Sequence, residues 1–481
     1  MNPVRSKSLF FVPFPIMAAF VLTWTYWIYV GFISQMVIVH DAEGYEYEGR
    51  LLTEKGWEAY LKEGPNREPL YPWLISLSMR LGHLTSISYQ SIQNGIQLFF
   101  LFLTQVLSLI LLRKLKVGTW ITALVLLYMG LSPVLVNSAL RLFSEIAVYP
   151  FVLGTVLFST LGWQSIHQGH LRKTALLASL LGASFLLATL VRGIFEWIFL
   201  GFLVPYLILG IYAFRKNHAM IFPTFFFLVL FVISYQGPLL TYKYLNYKYN
   251  GHFALTYKRT WALYGNTARR MEPLSGERFL SALAYVPGSG VCQFFFDDAT
   301  CVFWSYVVSD EMGVNKRTEL GYIYKTQREV DKALIELSVQ KALSHPLQYI
   351  LLTILEGFKM FFWENPQSGL VTYADWQERL FAFLPFKVGL NTLMSLLSFL
   401  ALGHLFLYVK SHIKFLFSPS SQESLTLPFF TFLFMVLYIG LYSPFFIDPR
   451  YSYPLAPPFL ILIAFFLQQK FPQFSTWSPT D

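Results

Sequence analysis

From residue 9 to residue 38 almost every position is apolar, and then the pattern turns over. Eight carboxylates, Asp41, Glu43, Glu46, Glu48, Glu54, Glu58, Glu63 and Glu68, arrive before Pro69. Nine further apolar runs follow, near residues 90–112, 118–139, 146–166, 174–191, 193–214, 219–241, 388–409, 426–446 and 453–469. Each is close to the about 20 residues that one helix needs to cross a bilayer. Basic clusters fall at every second turn: Arg5/Lys7, Arg113/Lys114/Lys116, Arg172/Lys173, Arg215/Lys216, Lys410/Lys414 and Lys470. That distribution marks cytoplasmic loops. The remaining turns, 40–89, 140–145, 192, 242–387 and 447–452, then face outward, and ten crossings return both termini to the inside.

Two apolar stretches do not read as ordinary spans. Residues 69–84 are too short and must begin and end outside, so they are expected to lie along the membrane surface as an interfacial helix. Residues 346–364 carry Glu356 and Lys359; they are a second interfacial helix, or an eleventh span compensated by 376–386. The outer segment 242–345 is too long for a connector and is expected to form a small subdomain. Within it, residues 316–342 have the spacing of an amphipathic helix. The expected fold is an all-α polytopic membrane protein of ten or eleven transmembrane helices, with interfacial helices and a large extracytoplasmic loop. It divides into an N-terminal transmembrane core (1–241), an outer region (242–387) and C-terminal helices (388–481).

Composition agrees. Of 481 residues, 55% are hydrophobic, 19% aromatic and 13% charged, against about 25% charged in a soluble domain. The formal charge of +9 does not point to nucleic acid, because its residues sit between apolar runs. Arg5 and Lys7 precede a run too long for a signal-peptide core, with no small-residue cleavage site, so the first helix reads as an uncleaved signal anchor. No Gly-rich nucleotide loop follows a strand, and neither Cys-x-x-Cys nor His-x-x-x-His metal spacing occurs. Cys292 and Cys301 could pair in an oxidising compartment or remain free thiols.

The outward turns carry the candidate chemistry. Arg67, Arg192 and Arg450 run against the positive-inside trend, and an anionic group at the outer boundary would explain them. A guanidinium suits phosphate, because its planar fork donates two parallel hydrogen bonds and stays charged. Asp41 and Glu43, at i and i+2 where the first span ends, are candidates for general-base work, and Glu145 opens the fourth span. A single such arginine is explained equally well by snorkelling or by a local ion pair. The rival function is a transporter or flippase for an anionic lipid, gripped by the same arginines. A transporter needs charges and broken helices near the midplane, whereas ionisable residues here sit at the ends of the runs, Glu196 and the 346–364 segment excepted.

In order along the chain come the acidic motif, Arg67-Glu68-Pro69-Leu70-Tyr71-Pro72, Leu131-Ser132-Pro133, Ser144-Glu145, the Arg192 turn, and Asp-Pro-Arg-Tyr-x-x-Pro-x-x-Pro from Asp448. This order resembles the GT-C superfamily of polyprenyl-phosphate-sugar-dependent glycosyltransferases, nearest the bacterial protein-mannosyltransferase and aminoarabinose-transferase type. The resemblance implies catalysis by Asp41 with Glu43 beside it, and a second acidic position at Glu145. It implies donor-phosphate contacts from the Arg67 region and from Arg450 and Tyr451. The cation stands one position early, since Glu68 directly precedes Pro69. The implied partners are a polyprenyl-phosphate-linked sugar donor and a protein, lipid or glycan acceptor. The implied place is the bacterial inner membrane, with the active site on the periplasmic side. It fixes no cofactor, and a divalent metal could sit among Asp41, Glu43 and Glu145. Segment 242–345 carries no motif of the family and is where acceptor specificity is expected.

Overall fold

The computed structural model describes residues 12–256, 260–366, 369–417, 422–445 and 448–472. Arg5, Lys7 and the first residues of the first apolar run lie outside them. The chain is an all-α polytopic membrane protein: nine described helices are long and apolar enough to cross a bilayer, ten with one bent pair.

Helix α1 (Phe14–Ile33) is followed by a two-residue strand, β1 (Gln35–Met36), then by α2 (Asp41–Glu54), α3 (Gly56–Glu63) and α4 (Leu70–Thr85). The last of these is the expected short helix over 69–84. It buries Tyr71, Leu74, Ile75, Ser78 and Met79 and packs between α2 and α5 (Tyr89–Lys114). Buried glutamines tie α5 to its neighbours: Gln105 Nε2 donates to Thr23 Oγ1 and Leu126 O, both at 3.0 Å. Such polar side chains act as glue where lipid supplies no hydrophobic drive between helices.

The run over 118–139 is not one straight span. It forms α6 (Thr119–Leu131) and α7 (Pro133–Leu140), bent by 45°. Pro133 has no N–H to continue the ladder, and Ser132 accepts from Leu135 N as the cap of α7. The break is filled by Glu364, which accepts from Tyr128 Oη (2.7 Å), Ser132 Oγ (2.8 Å) and Val134 N (3.1 Å). Helices α8 (Glu145–Gln168), α9 (Leu171–Val191), α10 (Phe195–Lys216) and α11 (Ile221–Asn250) follow. Here α11 continues beyond the expected end at 241, because Lys243, Tyr244 and Lys248 end the apolar run without ending the helix. It stops at Gly251, where φ is +80°. Glu196 sits in the first turn of α10 and pairs with Lys243 Nζ at 2.5 Å, so it is a helix-end charge.

Residues 260–359 form a helical subdomain: α12 (Thr260–Arg270), α13 (Gly276–Ala284), α14 (Ser289–Phe295), α15 (Asp298–Val302), α16 (Tyr306–Ile323), α17 (Gln327–Ser344) and α18 (Pro346–Lys359). The amphipathic stretch 316–342 is thus two helices. A capping box of Thr326 and Glu329 starts the second, satisfying the free amides of its first turn. Helices α12 and α16 cross at Gly265 and Gly313; a Cβ on Gly265 would lie 1.8 Å from Ser309 O, so only glycine permits this approach. Tyr264, Leu320, Val330 and Leu334 close the subdomain's own core.

Cys292 and Cys301 form a disulfide nine residues apart in sequence. Replacing both with serine is expected to destabilise this loop by about 2.5 kcal/mol, the entropy regained by so short a loop. Faster hydrogen exchange confined to α14 and α15 would register it; unchanged exchange would show that packing alone holds the loop.

After α18 the chain forms β2 (Val371–Thr372), antiparallel to β1 with Gln35 opposite Thr372. Helices α19 (Asp375–Ala382), α20 (Leu384–His412), α21 (Gln422–Tyr442), a 3₁₀ turn (Pro449–Leu455) and α22 (Ala456–Lys470) complete the fold. Arg270 and Asn266 of α12 lock the subdomain onto the chain leaving α21. Arg270 Nη2 donates to Ser443 O (2.6 Å) and Asn266 Nδ2 to Pro444 O (2.9 Å). Buried Arg269 donates to Glu356 at 2.7 Å.

Candidate functional site

The site is built from helix ends. His40 adopts φ +54°, a left-handed conformation uncommon for a side-chain-bearing residue, and turns the chain sharply into α2. Asp41 and Glu43 occupy the first turn of α2, where the helix dipole favours negative charge. Tyr45, Glu48, Gly49 and Leu52 face inward. Glu145 opens α8 in the same way. Arg192 ends α9, and Arg450 lies in the 3₁₀ turn before α22.

Tertiary packing brings these ends together. Asp41 Oδ1 accepts from Arg67 Nη2 at 2.5 Å, and its other oxygen pairs with Arg450. Arg450 Nε lies 4.0 Å from Glu145 Oε1, which pairs with Arg192. The result is an alternating line, Arg67, Asp41, Arg450, Glu145, Arg192, drawn from five separate parts of the sequence. Asp448 adds a carboxylate 3.8 Å from Arg450 Nε. Tyr451 is the platform beneath: the guanidiniums of Arg192 and Arg450 each lie 5.4 Å from its ring centroid. Its ring stacks on Tyr442 at 5.5 Å. The side chains of Asp41, Arg67, Arg192 and Arg450 are 12–22% exposed, Asp41 the most, while Glu145 is 1% exposed.

Glu68 is explained by the same packing. Its Oε1 accepts from Gly193 N at 2.9 Å, pinning the turn that presents Arg192, while Arg67, one position earlier, turns to Asp41. Arg67 also lies over the Tyr45 ring at 5.2 Å, and Tyr45 Oη shares a 2.9 Å hydrogen bond with Ser144 Oγ. Burial pushes the Tyr45 phenol up, so it stays neutral.

Glu43 is not part of the cluster. Residues i and i+2 on a helix point about 200° apart, and Glu43 is exposed on the outer side of α2. Among the described residues no three His, Cys, Asp or Glu side chains are placed to hold a metal ion. The triad of Asp41, Glu43 and Glu145 is not assembled, and guanidiniums already occupy Asp41 and Glu145.

Two further residues belong to the site's frame. Arg141 is 1% exposed and stacks over Phe143 and Tyr453, at 4.8 and 5.0 Å from their ring centroids. The outward position that singled out the other arginines applies to it equally. Glu48 Oε1 accepts from Asn66 N (3.0 Å) and Arg67 N (3.1 Å), holding the loop that carries Arg67. Burial raises its carboxyl to about 7, against the opposing pull of those amides and of Arg67. A raised acid pKa means the folded state holds a proton that the unfolded state has released. Stability is therefore expected to fall as pH rises from about 4.5 to about 7, by on the order of 3 kcal/mol. Glu48→Gln keeps an acceptor and cannot ionise, so its stability curve should be flat across that window. A wild-type-like slope in the variant would assign the effect to another group.

No protein-family model matches the chain, and no curated protein matches it significantly.

Proposed function

We propose that this protein transfers a sugar from a polyprenyl-phosphate carrier to an acceptor hydroxyl of a protein, lipid or glycan. The observation that carries the reading is Asp41 held between Arg67 and Arg450, in a line of charge continuing through Glu145 to Arg192. In the free protein the carboxylates occupy the guanidiniums. A phosphodiester entering the site competes for them, and its charge draws Arg67 and Arg450 away from Asp41, freeing a base beside the bound donor. Asp41 takes the proton of the acceptor hydroxyl as its oxygen bonds to the anomeric carbon. The bond from that carbon to the phosphate oxygen breaks on the opposite face, so the sugar configuration inverts. The departing phosphate gains negative charge, and the preplaced arginines stabilise it. Such a donor is confined to the membrane, which suits a site made of helix ends. The disulfide Cys292–Cys301 supports placing the site face in an oxidising compartment, the periplasmic side of a bacterial inner membrane.

One observation favours a transporter instead. The bent pair α6–α7, with buried Glu364 at its break, is the kind of interrupted helix that transporters use. Glu364 is fully engaged by Tyr128, Ser132 and Val134, however, and both half-helices are packed among other helices. The deciding experiment incubates the purified full chain with a panel of polyprenyl-phosphate sugars and measures release of polyprenyl phosphate. Release matched by glycosylated acceptor or free sugar is expected. No consumption of any donor, together with movement of lipid phosphates between vesicle leaflets, would replace the transferase with the transporter.

A further inference from the structure

Helix α18 has its polarity reversed. Glu356 and Lys359 are 4% and 9% exposed, while Leu347, Ile350, Leu351, Ile354 and Phe358 form one stripe that is 38–82% exposed. Their spacing of i, i+3, i+4, i+7 and i+11 places them on a single helix face. In water this would leave a contiguous apolar face uncovered while burying charges at a cost. Against lipid the same arrangement is favourable on both counts. Lys359 Nζ bonds Glu356 at 3.0 Å.

The segment also reaches inward along the spanning helices. Phe358 packs on Phe399 with ring centroids 6.1 Å apart, and Phe361 packs on Phe399 (5.6 Å) and Phe459 (5.4 Å). Trp363 Nε1 donates to Ser398 Oγ at 3.0 Å. Ser398 and Phe399 lie midway along the 29-residue α20, and Phe399 is itself 51% exposed. The apolar stripe of α18 thus runs without interruption into the outer surface of a membrane-spanning helix. Beyond it, Glu364 reaches the break between α6 and α7. Where the described chain resumes, β2 pairs with β1 just before Asp41.

We infer that the described segment 346–366 is re-entrant, with α18 descending into the leaflet on the site face and its apolar stripe covered by lipid acyl chains. Irregular backbone is tolerated at such depth only where protein buries it; Met360 and Trp363 are fully buried and Phe361 nearly so. On its inner face α18 holds Arg269, whose neighbour Arg270 grips the carbonyl of Ser443 ahead of Arg450. A lipid-seated helix thereby steadies the segment that delivers a site arginine. The inference is independent of the reaction proposed above.

The test uses the full chain, whose two cysteines are already joined, in phosphatidylcholine vesicles. Single cysteines replacing Leu347, Ile350, Ile354 or Phe358 carry a nitroxide, and its collisions with oxygen and with a water-soluble nickel chelate are measured. Labels at 354 and 358 are expected to favour oxygen several-fold more than a label replacing Glu336 on α17, with the preference growing from 347 to 358. Chelate access at 354 and 358 equal to that at 336 would overturn the inference. So would low access to both reagents, which would mean that protein covers the stripe. Footprinting the unsubstituted chain with a lipid-borne diazirine checks this without mutation: labelling of residues 347–358 is expected, and its absence overturns the inference.

Discussion

Asp41→Asn is expected to lower the rate of sugar transfer by about 10²–10⁴-fold, the usual contribution of a positioned general base, while leaving donor binding intact or tighter. The two effects separate because Asp41 has two roles. In the free protein it neutralises Arg67 and Arg450, one on each oxygen. Asparagine keeps an acceptor oxygen but carries no charge, so both guanidiniums are left to the incoming phosphate. Fold integrity should survive, since the Asp41 carboxylate is 22% exposed and partly exposed pairs contribute only about 1 kcal/mol. Turnover and polyprenyl-phosphate affinity measured on the same preparation check the claim. Transfer within tenfold of wild type would remove Asp41 as the base, and weakened binding would make it a direct ligand of the donor.

Arg192→Ala should be the most destabilising of the site substitutions, costing about 3–5 kcal/mol, the penalty for removing one partner of a buried pair. Glu145 is 1% exposed, and Arg192 is its closest cation; Arg450 Nε stands off at 4.0 Å. Without Arg192 the carboxylate is left inside the protein with only the weaker pull of Arg141 and Arg450 to match its charge. Adding Glu145→Gln removes that charge and should recover much of the loss, giving a coupling of roughly 2 kcal/mol in the double-mutant cycle. Denaturant unfolding of the four proteins measures it. Additive losses would mean that the pair is solvated and that Arg192 is present for ligand alone. Donor binding should fall in both Arg192 variants, because the guanidinium is missing in each.

What was legible along the chain was whatever depends on local composition. The crossings follow from runs of apolar residues, and the arginines at helix ends stand out because charge is rare beside such runs. The bend at Pro133 is not legible in hydropathy, which does not register a missing N–H. Glu43 is a near neighbour of Asp41 in sequence, and a helix starting at Asp41 turns them apart. Adjacent in sequence, Glu68 and Arg67 divide their work in the fold, Glu68 on the Gly193 amide and Arg67 on Asp41.

The sequence by itself determined the membrane class, the crossings and the charged side chains at the ends of the apolar runs, because each is a matter of what a segment of about 20 residues does in lipid or water. Only the tertiary structure decided which charge meets which. Asp41, Glu145, Arg192 and Arg450 lie on elements far apart in the chain, and their pairing depends on how α2, α8, α9 and the turn before α22 pack. The reversed polarity of α18 belongs to the same category. Its spacing is that of any amphipathic helix, and which face turns inward is set by Arg269 waiting in the subdomain core.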